Sequence, residues 1–213
     1  MLWASKQASK QASKQASKQA SKQASKQADK HLEYIDVLDA NGVKTGVVKT
    51  RSEVHAQSLW HRLIVVVIID DEKNILMQKR ALGKEKYPGM WDISVAGHVT
   101  AGYNSLDSAA EEINQEVDFA IPFEVKVKDF RFITSFRSAE RVNAKRTDRH
   151  YWDFFILRVP KVDINEKVIQ LEEVEKIEMM SYSNVKKLLK ENKVVKPGRK
   201  PIYDELDRYI NRI

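Results

Sequence analysis

Residues 97 to 119 read GHVTAGYNSLDSAAEEINQEVDF, a glycine-rich turn running into a helical pattern with Glu112 and Glu116 four residues apart. Positions i, i+3 and i+4 share one helix face, so Glu112, Gln115 and Glu116 point the same way. Two aligned carboxylates, a few waters and a substrate's own phosphates suffice to hold one Mg²⁺. Such an ion neutralises the charge that collects on phosphoryl oxygens while water attacks the phosphorus in line. Gln115 offers an amide oxygen without charge, so a second or third ion is not expected there. By spacing alone, the same pair reads more readily as the solvated face of a surface helix. Upstream, Arg80 stands beside Lys79 at the end of a strand-like stretch and Lys84 follows in the loop LGKEKYPG. Guanidinium and ammonium groups at a loop suit phosphate oxygens, although taken alone they too read as solvated charge.

The elements that must hold these groups follow from periodicity. Tyr34 to Leu38 alternates as a strand, DANG at 39–42 reads as a turn, and a second strand is expected near Val47 and Val48. RSEVHAQSLWHR reads as a short helix or loop. The unbroken apolar run Leu63 to Ile69 predicts a strand covered on both faces. Ile75 to Lys79 and Trp91 to Ala96 are the next strands, the latter leading into the glycine-rich turn. Beyond the helix, Val125 to Phe136 and Trp152 to Val159 read as strands separated by a polar, basic loop, RSAERVNAKRTDRH. A last short strand is expected at Glu178 to Met180. An amphipathic helix then begins at a Ser181 or Ser183 cap, with Val185, Leu188 and Leu189 inward. Pro201 to Ile213 forms a terminal helix with Leu206, Tyr209, Ile210 and Ile213 on one face. Strands with a few intervening helices predict an α+β fold, a mixed sheet covered by helices.

Composition bounds the remaining classes. From Ala4 to Gln27 the tetrapeptide Ala-Ser-Lys-Gln repeats six times. A period of four drifts around a helix of 3.6 residues per turn, so residues 1–30 present no apolar face and are expected to be disordered or a solvated helix. They read as an appended extension or a low-complexity tail, with neither the apolar core of a signal peptide nor the arginines of a transit peptide. The tail carries seven lysines and one aspartate, a net +6 of the chain's +7. Residues 31–213 are therefore nearly neutral, and the basic balance gives no support for specific nucleic-acid binding. No apolar run reaches membrane-spanning length. The chain has no cysteine, which excludes disulfides, thiolate metal sites and cysteine nucleophiles. A cytoplasmic protein acting on a small molecule is the expectation.

With these residues laid out, GHVTAGYNSLDSAAEEINQEVDF resembles the Nudix box, whose pattern is Gly, five residues, Glu, seven residues, Arg-Glu, an aliphatic, any residue, Glu-Glu, any residue, Gly and an aliphatic. Gly97, Glu112, Ile113 and Glu116 match it. YIDVLDANGVKTGVVKTRSEVHAQSLWHRL, MQKRALGKEKYPGMWDISVAGH and EEVEKIEMMSYSNVKKLL are similar to the Nudix branch related to type I isopentenyl-diphosphate isomerase. The resemblance covers nearly all of 31–213. It implies a mixed β-sheet sandwiched between α-helices, and a hydrolase of a nucleoside diphosphate linked to another moiety. It also implies Mg²⁺, with Mn²⁺ as the alternative ion, held by Glu112 and Glu116. Gln115 stands with them at a catalytic position, and Arg80 and Lys84 match positions that hold the diphosphate.

Four box positions depart. Tyr103 stands where the family has its first glutamate, Glu111 where it has arginine, Gln115 where it has the first of two paired glutamates, and Asp118 where it has the second glycine. In the family pattern the early glutamate and the arginine form a supporting ion pair, and here both are replaced. The alternative function is accordingly a weak or inactive Nudix domain that binds a nucleotide or diphosphate, or regulates. His55, His61 and His98 resemble three metal-ligand histidines of the isomerase, whose downstream acidic pair falls near Asp148 and His150. Ala96 replaces the isomerase's cysteine and carries no thiol, so isomerisation is excluded. The histidines are then expected to persist as structural hydrogen-bonding groups, with metal binding by them as the lesser alternative. A general base is sought among Glu172, Glu173 and Glu175.

Overall fold

A computed structural model describes residues 33–116, 125–161, 174–195 and 200–213. The repeat segment 1–30, Asp118, Glu172 and Glu173 lie outside the described residues. The elements in chain order are β1 (Tyr34–Leu38), β2 (Lys44–Thr50), α1 (Arg51–Ala56), β3 (Trp60–Ile69), β4 (Asn74–Arg80), β5 (Trp91–Asp92), β6 (Val95–His98), α2 (Ser105–Glu116), β7 (Phe130–Arg141), β8 (Thr147–Arg158), β9 (Val174–Ser181), α3 (Tyr182–Lys190) and α4 (Lys200–Ile210).

The run Leu63 to Ile69 is the spine of the sheet. It extends back to Trp60 as β3, antiparallel to β1, β4 and β6 and parallel to β8 along its whole length. Alternation sorts its side chains onto two faces. Leu63, Val65, Val67 and Ile69 join Trp152, Phe154 and Ile156 beneath α3 and α4, which contribute Val185, Ile202, Tyr203 and Leu206. Ile64, Val66 and Ile68 join Val95, Phe155 and Leu157 beneath α2, which contributes Ala109 and Ile113. The result is the expected mixed sheet between helices. Phe154 is wholly buried, a burial that contributes about 1.5–3 kcal/mol.

Local signals set the element ends. Asp39 Oδ1 accepts from the backbone N–H groups of Asn41 and Val43, closing the β1–β2 turn. Gly42 has φ +83, and a Cβ there would meet the Tyr151 ring at 3.0 Å, so glycine is needed for both conformation and space. Thr50 and Glu53 form a capping box on α1, and Ser181 caps α3. The expected strand Trp91 to Ala96 is two short pieces. At the break, buried Ser94 accepts from the Ile68 N–H and donates to the Leu76 carbonyl, replacing ladder bonds.

One larger expectation is corrected. The segment 137–150, read as a polar loop, is mostly strand, because β7 runs on to Arg141 and β8 begins at Thr147. The exposed face of an antiparallel hairpin tolerates charge, so its polarity masked the ladder Arg137↔Tyr151 through Arg141↔Thr147. At the chain end Ile213 is exposed, and helix α4 stops at Ile210.

Candidate active site and histidine cluster

Strand β6 divides the chemistry, because neighbouring residues of a strand point to opposite faces. Gly97, opposite Ile64 of β3, faces α2, whereas His98, opposite Leu63, faces the other side.

On the α2 side, Glu112 lies against Gly97. A Cβ built on Gly97 would fall inside the Glu112 carboxylate, 2.5 Å from its Cδ. The φ of Gly97 lies outside the left-handed region, so this glycine serves space alone. Ala109 and Ile113 are buried on the inner face of α2 as expected, with Leu106 packed beside them. Asn104 Oδ1 accepts from the N–H groups of Leu106 and Asp107 and so caps the helix. Gln115 and Glu116 fall within α2, one turn beyond Glu112.

Arg80 donates from Nε to the Lys86 carbonyl at 3.0 Å and stands 3.5 Å from buried Asp92. It thereby braces the 81–90 loop that carries Lys84. Glu175 pairs with Lys79 at 2.7 Å.

On the opposite face the structure gathers His55 from α1, His61 from β3, His98 from β6 and His150 from β8, with Asp148 beside them. His61 and His150 are register partners in the parallel β3–β8 ladder, their ring centroids 4.7 Å apart. The ligand-capable atoms of His55, His61 and His150 all lie within 4.8 Å of one another. The Leu59 carbonyl, which can only accept, is 3.0 Å from His61 Nδ1, so that nitrogen carries the proton and Nε2 is left with its lone pair. His61 Nε2 and His150 Nε2 are buried without a hydrogen-bond partner. His55 Nδ1 meets Asp148 Oδ1 at 3.0 Å, and its Nε2 lies 3.1 Å from His98 Nε2.

The expected hydrogen-bonding role is not met at His61 Nε2 and His150 Nε2, and the alternative, metal binding, is the one they suit. Three imidazoles whose ligand atoms cluster this closely, two of them with buried and unbonded Nε2 atoms, and with His61 held through Nδ1 by a carbonyl and His55 by a carboxylate, fit a metal ion. Imidazole suits transition metals better than Mg²⁺.

The electrostatics agree with this reading. Burial pushes His61 down to about 4 against the lesser opposing pull of its Leu59 hydrogen bond. Burial and the neighbouring His61 push His150 down to about 3. Burial, Arg51 and the other rings hold His98 well below the ordinary histidine range. Burial raises the Asp148 carboxyl, but hydrogen bonds from His55, Arg146 and Lys86 outweigh it and hold the group far below the usual carboxylate range. His61, His98 and His150 are thus neutral and the Asp148 carboxylate charged, the states a metal requires. The signal for His150 was present in the sequence, since His150, Trp152, Phe154 and Ile156 alternate with the strand period once the loop reading is dropped.

The chain matches the NUDIX domain over residues 60–206. It is 32% identical over 159 residues to Nudix hydrolase 3 of Arabidopsis thaliana, an alignment covering 74% of this chain and 20% of that protein. It is 32% identical over 101 residues to isopentenyl-diphosphate Delta-isomerase of Shigella flexneri serotype 5b, covering 47% of this chain and 56% of the isomerase. The chain thus spans a fifth of the first relative's length and about half of the second's. In fold it is similar to a solved structure from Deinococcus radiodurans, with TM-score 0.57 and 14% identity, covering 83% of this chain and 98% of the other.

Proposed function

The chain belongs to the NUDIX domain family, and on that premise we propose that residues 31–213 form a cytoplasmic, Mg²⁺-dependent hydrolase, with residues 1–30 a separate tail. It cleaves the pyrophosphate of a nucleoside diphosphate linked to another group, and Mn²⁺ is the alternative ion. The observation that carries the reading is the Glu112 carboxylate seated against Gly97, where a Cβ would displace it. Glu112 and Glu116 would hold the ion, with Gln115 between them. Bound there, Mg²⁺ supplies charge neutralisation at the phosphoryl oxygens and orients the attacking water. Arg80 and Lys84, on and beside the loop after β4, are the proposed diphosphate contacts. Isomerisation is not part of this reading, because Ala96 has no proton to give.

The histidine cluster is read as a second, separate ion site on the other face of the sheet. Its support is the pair of orphaned Nε2 atoms. Holding Asp148, β8 and α1 together, such an ion would act on the fold.

The test is a screen of the full chain with Mg²⁺ against nucleoside diphosphates and their conjugates, read by phosphate or nucleotide release. Turnover that depends on Mg²⁺ and disappears in Glu112→Gln is expected. A folded chain that releases nothing from any compound, yet binds one of them with or without Mg²⁺, would replace the hydrolase by a binding domain.

A further inference from the structure

The family's supporting ion pair is missing from positions 103 and 111, yet the amino end of α2 is not left loose. Asp153 of β8 points to the α2 face, opposite Ile64 in the parallel ladder, and is only 7% exposed. Arg62 donates to both of its carboxylate oxygens, at 2.8 and 3.0 Å. Ser105, the first residue of α2, donates its hydroxyl to Asp153 Oδ2. Arg62 is itself fixed, donating to the Gly42 carbonyl at 3.1 Å with its guanidinium over the Tyr151 ring. A second tether holds the preceding turn. The Gly102 N–H donates to Asp36, which pairs with Lys44 at 2.6 Å, and Lys44 donates to the Tyr103 carbonyl.

Asp36, Lys44, Arg62, Tyr103, Ser105 and Asp153 line a cavity of about 210 Å³ at the helix's amino end. Its two cations are each paired with one of its two carboxylates, which marks a brace in place of a charged-ligand pocket. A buried ion pair is poor evidence for stability, since apolar residues of similar volume often do as well. What such a pair does well is fix one arrangement, and here it fixes the helix that carries Glu112.

We propose that Asp153, clamped by Arg62 and bonded to Ser105, is a positioning residue for the hydrolase reaction. It locks the first turn of α2 to the sheet and so sets Glu112 against Gly97, replacing the missing pair at 103 and 111. The proposal rests on the hydrolase reading, and the test separates the two.

Mg²⁺ alone is titrated into the full chain and followed by amide NMR shifts at Glu112. Because Mg²⁺ takes oxygen ligands, the titration reads the carboxylates and not the imidazoles. Ser105→Ala and Asp153→Asn should each weaken Mg²⁺ about tenfold, within the range of about 10–100-fold found for groups that orient metal ligands. On any substrate found by the screen, kcat should fall with KM unchanged. Ser105→Thr, which keeps the hydroxyl, should retain wild-type affinity. Adding Tyr103→Glu with Glu111→Arg to Ser105→Ala should restore it, an effect that loss of packing alone would not give. If Asp153→Asn does not fold, Ser105→Ala, which deletes one oxygen, decides. Folded variants with unchanged Mg²⁺ affinity and kcat overturn the proposal, as does a wild-type chain that takes up no Mg²⁺. A wild-type chain that binds Mg²⁺ but hydrolyses nothing overturns the hydrolase reading instead, and the titration still decides the brace.

Discussion

At the scale of single residues, Gly97 does its work by absence. Its backbone is available to any amino acid, and only the Glu112 carboxylate forbids a Cβ. Gly97→Ala would push away the flexible end of one side chain, which costs folding little but moves the metal ligand. A misplacement of about 1 Å can lower a rate about 10²-fold. Turnover of Gly97→Ala should therefore fall by about that factor, with the melting temperature within a few degrees of wild type. Steady-state kinetics beside thermal melts checks both halves, and a variant with full activity would remove Glu112 from the site. His61 shows the opposite use of a single residue. Its one bonded nitrogen fixes which nitrogen is bare.

Helix α2 concentrates the departures from the family at the scale of an element. Asp107 lies in its first turn, where the helix dipole favours negative charge, and no basic residue stands in its last turn. Glu112 and Glu116, four residues apart at this end of the helix, are like charges at a spacing that repels. A bound cation would relieve that repulsion, so Mg²⁺ should stabilise the helix as well as the reaction. Glu116→Gln removes one of two charged ligands and should abolish turnover. Gln115→Glu adds a ligand but also a like charge. Combined with Glu111→Arg and Tyr103→Glu, it should raise turnover at limiting Mg²⁺ by about tenfold, the lower end of what ligand-orienting groups contribute. Activity measured across a Mg²⁺ series checks this. If Glu116→Gln keeps full turnover, the carboxylates are a solvated face.

For the whole molecule, the histidine cluster links folding to pH. His61 and His150 ionise in the fold only near 4 and 3, against an ordinary value of 6.5. With folded values depressed, the unfolded chain binds protons first as pH falls, so stability decreases with acidification. The contribution is complete above about pH 6.5, erodes from there to about 4 for His61 and to about 3 for His150, and is then exhausted. In the presence of chelator the melting temperature should be level above neutrality and fall by several degrees between about pH 6.5 and 4. A transition metal should raise the whole curve and move the fall to lower pH, because neutral imidazoles bind it. A melting curve flat across that interval would mean the rings are not buried as described.

Much of this was fixed along the chain itself. The apolar run 63–69 demanded a strand covered on both sides, since seven apolar side chains cannot face water on either. The 3.6 period grouped Glu112, Gln115 and Glu116 along α2, beside the buried stripe of Ala109 and Ile113. The lack of cysteine excluded thiol chemistry before any coordinates. Those properties are local, carried by a residue and its neighbours within a turn or two. The rest depended on pairing between distant strands. His61 and His150 are 89 positions apart in number and become partners only through the β3–β8 register, which periodicity does not encode. Asp153 likewise carries no sign in the sequence that Arg62 and Ser105 will meet it. Nor could spacing tell that Gly97 is a glycine for want of room, because the group that fills the room arrives from the far end of α2's second turn.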